Sequence, residues 1–372
     1  MRRFIQALLL VAVVVDGLAP KVGCKKCSSC LGCASKNEES RRNECVVVVT
    51  HAAGRMGLSL VGQLREMWAR APPAWASPDA ALRVRCVVRS DAEAAAMRTT
   101  LGGVVMRGGV AEPASALPDL DVVVAPDAPG DAEDAALDGA LAGASAVVLC
   151  SAAHAALEAN DRGAYNVRVP RAEAAVAARR LGAEIAAAAR APLAGPRRVV
   201  LRSSAGVGVL DASIRGATAV PDDAVLAVAR MGGEEAVRAH AAAEAAFSKL
   251  SEAAATTTVL RLGALTDDAG GVPLRFAVDD DDLLEAAVRR GAPPLISRND
   301  AARVVAEIAY AGASDLRGAT IGVAWNPKYT PTCAGTDEVM RAAARQDVVA
   351  DAAAVLAAAA RRAPDRALAS SR

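Results

Sequence analysis

Residues 46–57 read VVVVTHAAGRMG and are followed by a helical pattern over residues 58–70. The β-branched run predicts a short strand that is covered on both faces. Gly54 and Gly57 stand between strand and helix, where glycine lets backbone N–H groups approach a phosphate at the positive end of the helix. His51 takes the place of a first glycine, which usually makes the tight turn. The segment predicts either the phosphate-binding turn of a dinucleotide site or a helix start packed closely on a strand.

The rest of the chain alternates short apolar runs with alanine-rich helical stretches. Predicted strands cover residues 45–50, 84–89, 104–106 or 121–124, 146–150, 198–203, 258–262 and 320–323. Predicted helices cover residues 58–70, 172–190, 234–252 and 299–310. This order is typical of an α/β protein with a doubly wound parallel sheet. Residues 71–79 and 110–118 are rich in Pro and Gly, which predicts loops there.

The second predicted strand ends at Arg89. In a sheet of this type, a site selective for NAD usually has Asp or Glu here to bind the ribose hydroxyls, whereas Arg accommodates the 2′-phosphate of NADP. The residue therefore favours NADP(H) over NAD(H). The alternative is a solvated charge at the end of a strand.

Composition argues against some partners. The chain has 43 Lys and Arg against 42 Asp and Glu, so it lacks the basic excess that neutralises a nucleic-acid backbone. Only 2% of residues are aromatic, too few for a base-stacking surface. We expect no nucleic-acid partner. The longest strongly apolar run, residues 7–15, is well short of the roughly 20 residues that span a membrane, so no transmembrane helix is expected in the mature chain.

The first 44 residues have the pattern of a targeting leader. Arg2 and Arg3 precede the apolar run as in a secretory signal, and residues 21–43 are Ser-, Lys- and Arg-rich as in a transit segment. A signal followed by a transit segment resembles the leaders of plastid proteins in algae with complex plastids. A simple secretory or other organellar leader is the alternative. We predict a leader over residues 1–44, a folded domain over residues 45–333, and a C-terminal helix and tail over residues 334–372.

Half of the eight cysteines lie in this leader in an unbroken C-x2-C pattern, at Cys24, Cys27, Cys30 and Cys33. Thiolates at this spacing can ligate iron–sulfur clusters or zinc, but four tandem ligands would crowd one ion, and the bacterial ferredoxin ending is missing. We therefore predict no metal site. Cys86 and Cys150 lie inside apolar runs and are expected to be buried thiols.

Several segments, taken in order, resemble the NmrA-like, atypical short-chain dehydrogenases/reductases. They are residues 46–57, 85–89, 146–151, 198–204, 259–267 and 295–300. The resemblance covers about residues 45–326, and plastid members carry similar segments. It implies a Rossmann-type domain that binds NADP(H), with a small C-terminal substrate lobe over about residues 264–333. It also implies a possible oxidoreductase.

The resemblance assigns cofactor contacts residue by residue. It places Thr50, Ala52, Ala53, Gly54, Arg55, Met56 and Gly57 at the pyrophosphate, Arg89 at the 2′-phosphate, Ser151 and Ala152 at the adenine-side ribose, Ser203 and Ser204 at the nicotinamide side, and Gly263 under the nicotinamide. All of them follow or end a predicted strand, where ligands bind in such sheets. For the serines, hydrogen bonding to turn backbone is an equal alternative.

The chain departs from the wider superfamily at its catalytic pair. Catalytic members use Tyr-x-x-x-Lys on a helix, where the cation lowers the pKa of the tyrosine. The corresponding positions here are Ala236 and His240, and Ala236 cannot donate a proton. His240 is either an acid or base near neutral pH or a helix-surface side chain paired with Glu244. The catalytic residues therefore stay unassigned.

Three function hypotheses remain. The first is an NADP-dependent oxidoreductase of unusual mechanism. The second is a non-catalytic module that senses the NADP redox state or scaffolds a protein partner, and the absence of the Tyr-Lys pair favours it. The third, minor hypothesis is a dihydrodipicolinate reductase-like enzyme, because residues 52–57 also resemble that turn. Those enzymes need a paired-histidine segment, which histidines at 51, 154 and 240 alone cannot supply.

Overall fold

The structure is a computed structural model. The described residues are 44–73, 75–102, 104–107, 110–113, 119–151, 156–159, 165–168, 171–192, 198–208, 234–251, 256–267, 270–271, 274–278, 295–310, 316 and 318–325. Contacts divide the chain into residues 1–43 and residues 44–372. The predicted leader up to residue 43, its tandem cysteines, the predicted C-terminal helix and Ala152 lie outside the described residues.

The strands are short, as expected for a parallel sheet covered on both faces. They are β1 (Glu44–Val49), β2 (Ala81–Val88), β3 (Val104–Arg107), β4 (Val110–Pro113), β5 (Leu120–Val124), β6 (Ala146–Leu149), β7 (Ala156–Ala159), β8 (Tyr165–Arg168), β9 (Arg198–Ser204), β10 (Thr256–Leu262), β11 (Ala264–Thr266), β12 (Leu274–Val278), β13 (Leu295–Ser297) and β14 (Ala319–Trp325). The helices are α1 (Arg55–Arg70), α2 (Asp91–Gly102), α3 (Asp131–Leu141), α4 (Arg171–Arg190), α5 (Glu234–Ser251) and α6 (Arg298–Tyr310).

One eight-stranded sheet has the order β12-β14-β10-β9-β6-β1-β2-β5. Every neighbouring pair is parallel except β12 and β14. The chain runs outward from β1 through β2 to β5 and then returns to β6 on the other side of β1. This reversal opens a crevice at the carboxyl ends of β1 and β6, which is where ligands bind in doubly wound sheets.

Apolar cores on both faces of the sheet explain why its strands are nearly continuous in apolar residues. Val47 and Val49 of β1 face a core that includes side chains of α1, α2 and α6, whereas Val46 and Val48 face a core built with α3, α4 and α5. All four residues of β6 are fully buried. The predicted doubly wound α/β fold is confirmed.

Most predicted elements appear within a few residues of their expected bounds, and the differences have local causes. The segment 121–124 is part of the main sheet, while 104–107 pairs with β4 in a separate hairpin. The predicted loop over residues 110–118 was wrong in its first part, because Val110–Pro113 is a strand despite its proline. A hairpin terminus tolerates proline, since one edge of each strand needs no N–H donor.

The segment predicted as a small substrate lobe contributes to two sheets. Its strand β12 pairs with β14 at the edge of the main sheet, and β11 pairs with β13 in a short parallel ladder beside it. Residues 279–294 lie outside the described residues, so the lobe itself stays a prediction. Within the part of the chain that the structure describes, no helix is long and apolar enough to cross a membrane.

Candidate functional site

The turn after β1 has the backbone that a phosphate-binding turn needs. His51 has φ 50°, the left-handed conformation that glycine usually supplies at this first position. A Cβ on Gly57 would lie 2.5 Å from the carbonyl oxygen of His51 and 2.7 Å from Cα of Ala52. The start of α1 therefore packs directly on the turn, and only glycine fits at residue 57. His51 adopts the expected turn although it is not a glycine.

The N-terminus of α1 offers backbone donors to an anion, with the His51 imidazole beside its cap residue: a Cβ on Gly54 would lie 2.7 Å from Nε2 of His51. The cap residue, Gly54, makes no side-chain capping bond, and the first turn contains no acidic residue. The N–H of Leu58 is the first to bond within the helix, to the carbonyl of Gly54 at 2.8 Å. Among the described residues, the preceding N–H groups of Arg55, Met56 and Gly57 have no acceptor. Together with the helix dipole and the exposed Arg55, they favour a phosphate here. The chain has a Rossmann-type α/β fold.

Two predicted contact residues of this Rossmann crevice use their hydroxyls inside the protein. Thr50 is fully buried, donates to Glu184 at 2.8 Å and accepts from the N–H of Cys150 at 2.9 Å. Ser151 donates to the other carboxylate oxygen of Glu184 at 2.6 Å. Glu184 therefore joins the ends of β1 and β6 from below the crevice. The two hydroxyls position the backbone at the crevice, and each gives its one proton to Glu184, so a ligand could only donate to them or use backbone groups.

An ion network holds Glu184 in place. The Arg180 guanidinium donates to Glu184 at 3.1 Å and to Glu133 at 2.6 Å, and all three side chains are at most 4% exposed. Burial raises the pKa of Glu184, while Arg180 and the two hydroxyls oppose that shift. Sequence reasoning missed Glu184. Its signal was an acidic residue in the apolar stripe of the helix predicted over residues 172–190.

Arg89 stands at the end of β2 as predicted, but it already has a carboxylate partner. Its Nε and Nη2 donate to Glu93 at 3.0 and 2.6 Å, and its backbone N–H donates to the same side chain at 2.8 Å. Burial alone would raise the pKa of Glu93, yet the Arg89 hydrogen bonds and charge bring it below its usual value. Both side chains are part-buried at the carboxyl edge. A 2′-phosphate at Arg89 would therefore meet or displace Glu93.

The serines predicted at the nicotinamide side behave differently from each other. Ser203 donates to Glu244 of α5 at 2.5 Å, and Glu244 is also bound by Arg261 of β10 at 2.7 Å. Ser204 accepts from the N–H of Gly206 at 3.2 Å and has a further partner. Ser203, Glu244 and Arg261 thus form a hydrogen-bonded group that connects α5 to β9 and β10. Ser204 stabilises the turn backbone.

Gly263 continues the sheet after β10, since its N–H donates to the carbonyl of Val323 at 3.0 Å. Just beyond it, Asp267 accepts a hydrogen bond from Arg55 at 2.9 Å and another from Arg298 at the first residue of α6. The carboxylate thereby connects the N-termini of α1 and α6. Arg55 and Asp267 are largely exposed, so the pair contributes little to stability.

The two positions that correspond to the missing Tyr-Lys pair have different surroundings. Ala236 is buried against Ala174 of α4 and offers no group to a ligand. His240 is part-buried, and its Nδ1 is inaccessible and has no partner among the described residues. The alternative of a surface pair with Glu244 was wrong, because Glu244 binds Ser203 and Arg261 instead. Burial, followed by the nearby charge of Arg202, lowers the pKa of His240 to about 3, so the imidazole is neutral at pH 7.

The expected buried thiols are confirmed. Cys86 and Cys150 are at most 1% exposed. Burial raises the pKa of the Cys150 thiol to about 12 and that of Cys86 higher still. Both stay protonated and unreactive near neutral pH.

No family model matches the chain, and no curated protein matches it. A short-chain dehydrogenase/reductase (wide type) from Veillonella parvula, solved with NADP, is 13% identical over 77% of this chain and 97% of its own, with a TM-score of 0.45. An anaerobillin reductase from Escherichia coli is 18% identical over 77% of this chain and 100% of its own, with a TM-score of 0.46. An oxidoreductase from Lactococcus lactis is 14% identical over 76% of this chain and 91% of its own, with a TM-score of 0.43. The fold assignment rests on the sheet order of the chain itself.

Proposed function

We propose that this protein binds NADP(H) in the crevice at the carboxyl ends of β1 and β6, as an atypical short-chain dehydrogenase/reductase-like protein. The observation that carries the proposal is the set of unsatisfied N–H groups at the N-terminus of α1, directly after a turn in which His51 is left-handed and Gly57 admits no side chain. Such N–H groups, a helix dipole and a first turn without an acidic residue are what a pyrophosphate site needs. The sequence segments that resemble the NmrA-like proteins support the same assignment.

The preference for NADP(H) rests on Arg89 at the adenosine end of the crevice. Arg89 follows β2, where a 2′-phosphate would lie, whereas Arg55 at the start of α1 is paired with Asp267. Glu93 opposes this preference, because it neutralises Arg89 in the protein without ligand. Binding of a 2′-phosphate would therefore involve the exchange of one anion for another at the same guanidinium.

A dinucleotide in the crevice is compatible with two activities, hydride transfer and redox sensing. The two activities require different things of the chain's own residues. When bound, NADPH supplies a hydride. The protein would then have to position an acceptor beside the nicotinamide and admit a proton from water, because Ala236 has no proton to give and the His240 imidazole is neutral. The second candidate, a non-catalytic NADP(H)-binding module, is favoured by the burial of Ala236 against α4. We further propose delivery to a plastid by residues 1–44, on the composition of that segment alone.

The test of cofactor binding is a fluorescence titration of the full chain with NADPH and NADH. We expect NADPH to bind at least about tenfold more tightly, the effect of one well-placed charged hydrogen bond. Arg89→Asp should abolish or invert the preference. Glu93→Gln should increase it, because the guanidinium loses its competing carboxylate. Equal affinities for both dinucleotides in all three proteins would refute the 2′-phosphate assignment, and no binding at all would refute the proposed function.

Turnover separates the two candidates. With the cofactor bound, we expect little or no NADPH oxidation in the presence of simple ketones, aldehydes or quinones. Brisk turnover that falls by about a hundredfold in His240→Ala would instead assign acid–base catalysis to the histidine. Such a result would contradict the neutral imidazole that the burial of His240 implies.

A further inference from the structure

A guanidinium without a counterion lies at the carboxyl edge of the sheet. Arg202 of β9 is part-buried, and its Nε is inaccessible to solvent and has no partner among the described residues. Within the described ranges its hydrogen bond is a long one of 3.5 Å from Nη1 to the carbonyl of Cys150. No carboxylate in the described part of the chain forms an ion pair with it. Burial lowers the pKa of Arg202, although the group stays charged near neutral pH.

The described neighbours of Arg202 add no negative charge. The Cys150 thiol is neutral, because burial raises its pKa to about 12. Arg298, at the start of α6, is close enough to lower the pKa of Arg202 further, and its own partner is Asp267. His240 of α5 is neutral. Its helix packs on the face of the sheet that Leu201 shares, whereas Arg202 alternates onto the face of Val200. A part-buried charge that lacks a carboxylate partner loses some of its hydration without full compensation, which costs stability.

Position in the sheet argues against a purely structural role. Arg202 is level with the residue that follows β6, because Leu201 of β9 pairs with Leu149, the last residue of β6. The guanidinium is therefore at the edge where the crevice opens. Two strand spacings separate β9 from β1, which places it roughly 10 Å from the strand that carries the phosphate-binding turn. A dinucleotide with its pyrophosphate at α1 would present its nicotinamide ring there, which carries no negative charge in either redox state.

We propose that Arg202 binds the carboxylate of a small-molecule ligand at the nicotinamide end of the crevice. The geometry suits a planar carboxylate, since a guanidinium presents N–H donors in a fork that matches two oxygens. This inference rests on the proposed function for the identity of that end, but not for the anion site itself. It names the substrate class as carboxylate-bearing molecules.

The first test compares the full chain with Arg202→Met in the absence of ligand. Methionine keeps the apolar stem and removes the charge, so we expect a melting temperature several degrees above that of the wild type, because burying the charge without a partner is costly. Arg238→Met on the exposed face of α5 is the control for losing one arginine, with little expected change. A melting temperature below that of the wild type in Arg202→Met would show a structural partner and overturn the proposal.

The second test uses benzoate and its neutral isostere benzamide at constant ionic strength, with binding measured by calorimetry on the free and NADPH-mixed protein. We expect benzoate to bind at least about tenfold more tightly than benzamide in the wild type and in Arg238→Met, and this preference to vanish in Arg202→Met. Absence of a benzoate preference in the wild type would overturn the carboxylate assignment.

Two further outcomes show which anion binds at Arg202 and whether the proposed NADP(H) function holds. If inorganic pyrophosphate displaces benzoate, and Arg202→Met weakens NADPH by a similar factor, the anion is a phosphate of the cofactor and the proposal fails. If NADPH does not bind but the benzoate preference depends on Arg202, the carboxylate site stands and the proposed NADP(H) function falls.

Discussion

Replacement of Gly57 by Ala would place a methyl group inside the turn that we assign to the pyrophosphate. Its Cβ would lie 2.5 Å from the His51 carbonyl oxygen and 2.7 Å from two backbone atoms of Ala52. All three neighbours are backbone, so no side chain can rotate away. Ordinary contact needs about 3.5 Å, and the helix start must therefore move by roughly 1 Å relative to the turn.

The magnitude follows from opposing effects. Alanine gains about 1 kcal/mol over glycine in a helix, whereas overpacking costs about 1–3 kcal/mol or more when only backbone can move. We expect Gly57→Ala to lower the free energy of unfolding by about 1–2 kcal/mol, and NADPH affinity to fall by about tenfold or more, because the first-turn N–H groups shift away from the phosphate. Gly62 lies one and a half turns further along the same helix, and a Cβ there would meet nothing within 4 Å.

Gly62→Ala is therefore the matched control, with the same chemical change in the same helix. It should raise stability by up to about 1 kcal/mol and leave NADPH affinity unchanged. Urea unfolding and NADPH fluorescence titration of the three proteins measure both quantities. If Gly57→Ala binds NADPH as tightly as Gly62→Ala, the turn does not hold the pyrophosphate and the reasoning fails.

Three more predictions concern other parts of the molecule. Glu184→Ala should cost about 3–5 kcal/mol in urea unfolding, since it leaves the buried Arg180 with one fewer partner, and a cost under about 1 kcal/mol would contradict the network. Burial, partly opposed by Arg303, raises the pKa of Glu307 from 4.5 to about 7, so the folded state binds the proton more tightly than the unfolded state. Stability from this carboxyl is therefore present below about pH 4.5 and lost as the pH rises through about 7; Glu307→Gln should flatten that part of the melting profile, and an unchanged profile would refute it. Deletion of residues 1–43 should leave NADPH affinity unchanged and abolish organelle delivery of a fluorescent fusion, whereas iron or zinc on the mature protein's tandem cysteines would contradict the leader assignment.

The parallel strands of the main sheet were predictable because each of them has its own apolar run in the sequence. The run of valines in β1 and the fully apolar β6 are covered on both faces, and a continuous apolar run encodes that directly. The edge strand β12, with Arg275 and Phe276 in alternation, lacks such a run and was not predicted. Its antiparallel pairing with β14 depends on the return path of the chain, which no local pattern contains.

The site was predictable in position but not in its partners. Sequence order placed Thr50, Arg89 and Ser151 at the ends of the correct strands, because the carboxyl ends of parallel strands share an edge. Their hydrogen-bond partners come from helices far along the chain or one turn away, as with Glu184 and Glu93. Such pairings depend on how α4 and α2 pack on the sheet, and they decide which hydroxyls and cations remain available to a ligand.

The most direct test of the account is a crystal structure of the full chain with NADPH. We predict that the pyrophosphate oxygens accept hydrogen bonds from the N–H groups of the first turn of α1, with the nicotinamide beyond the end of β6 toward Arg202. A dinucleotide bound elsewhere, or a crevice in which a side chain of the protein caps the N-terminus of α1 and excludes the phosphate, would contradict it.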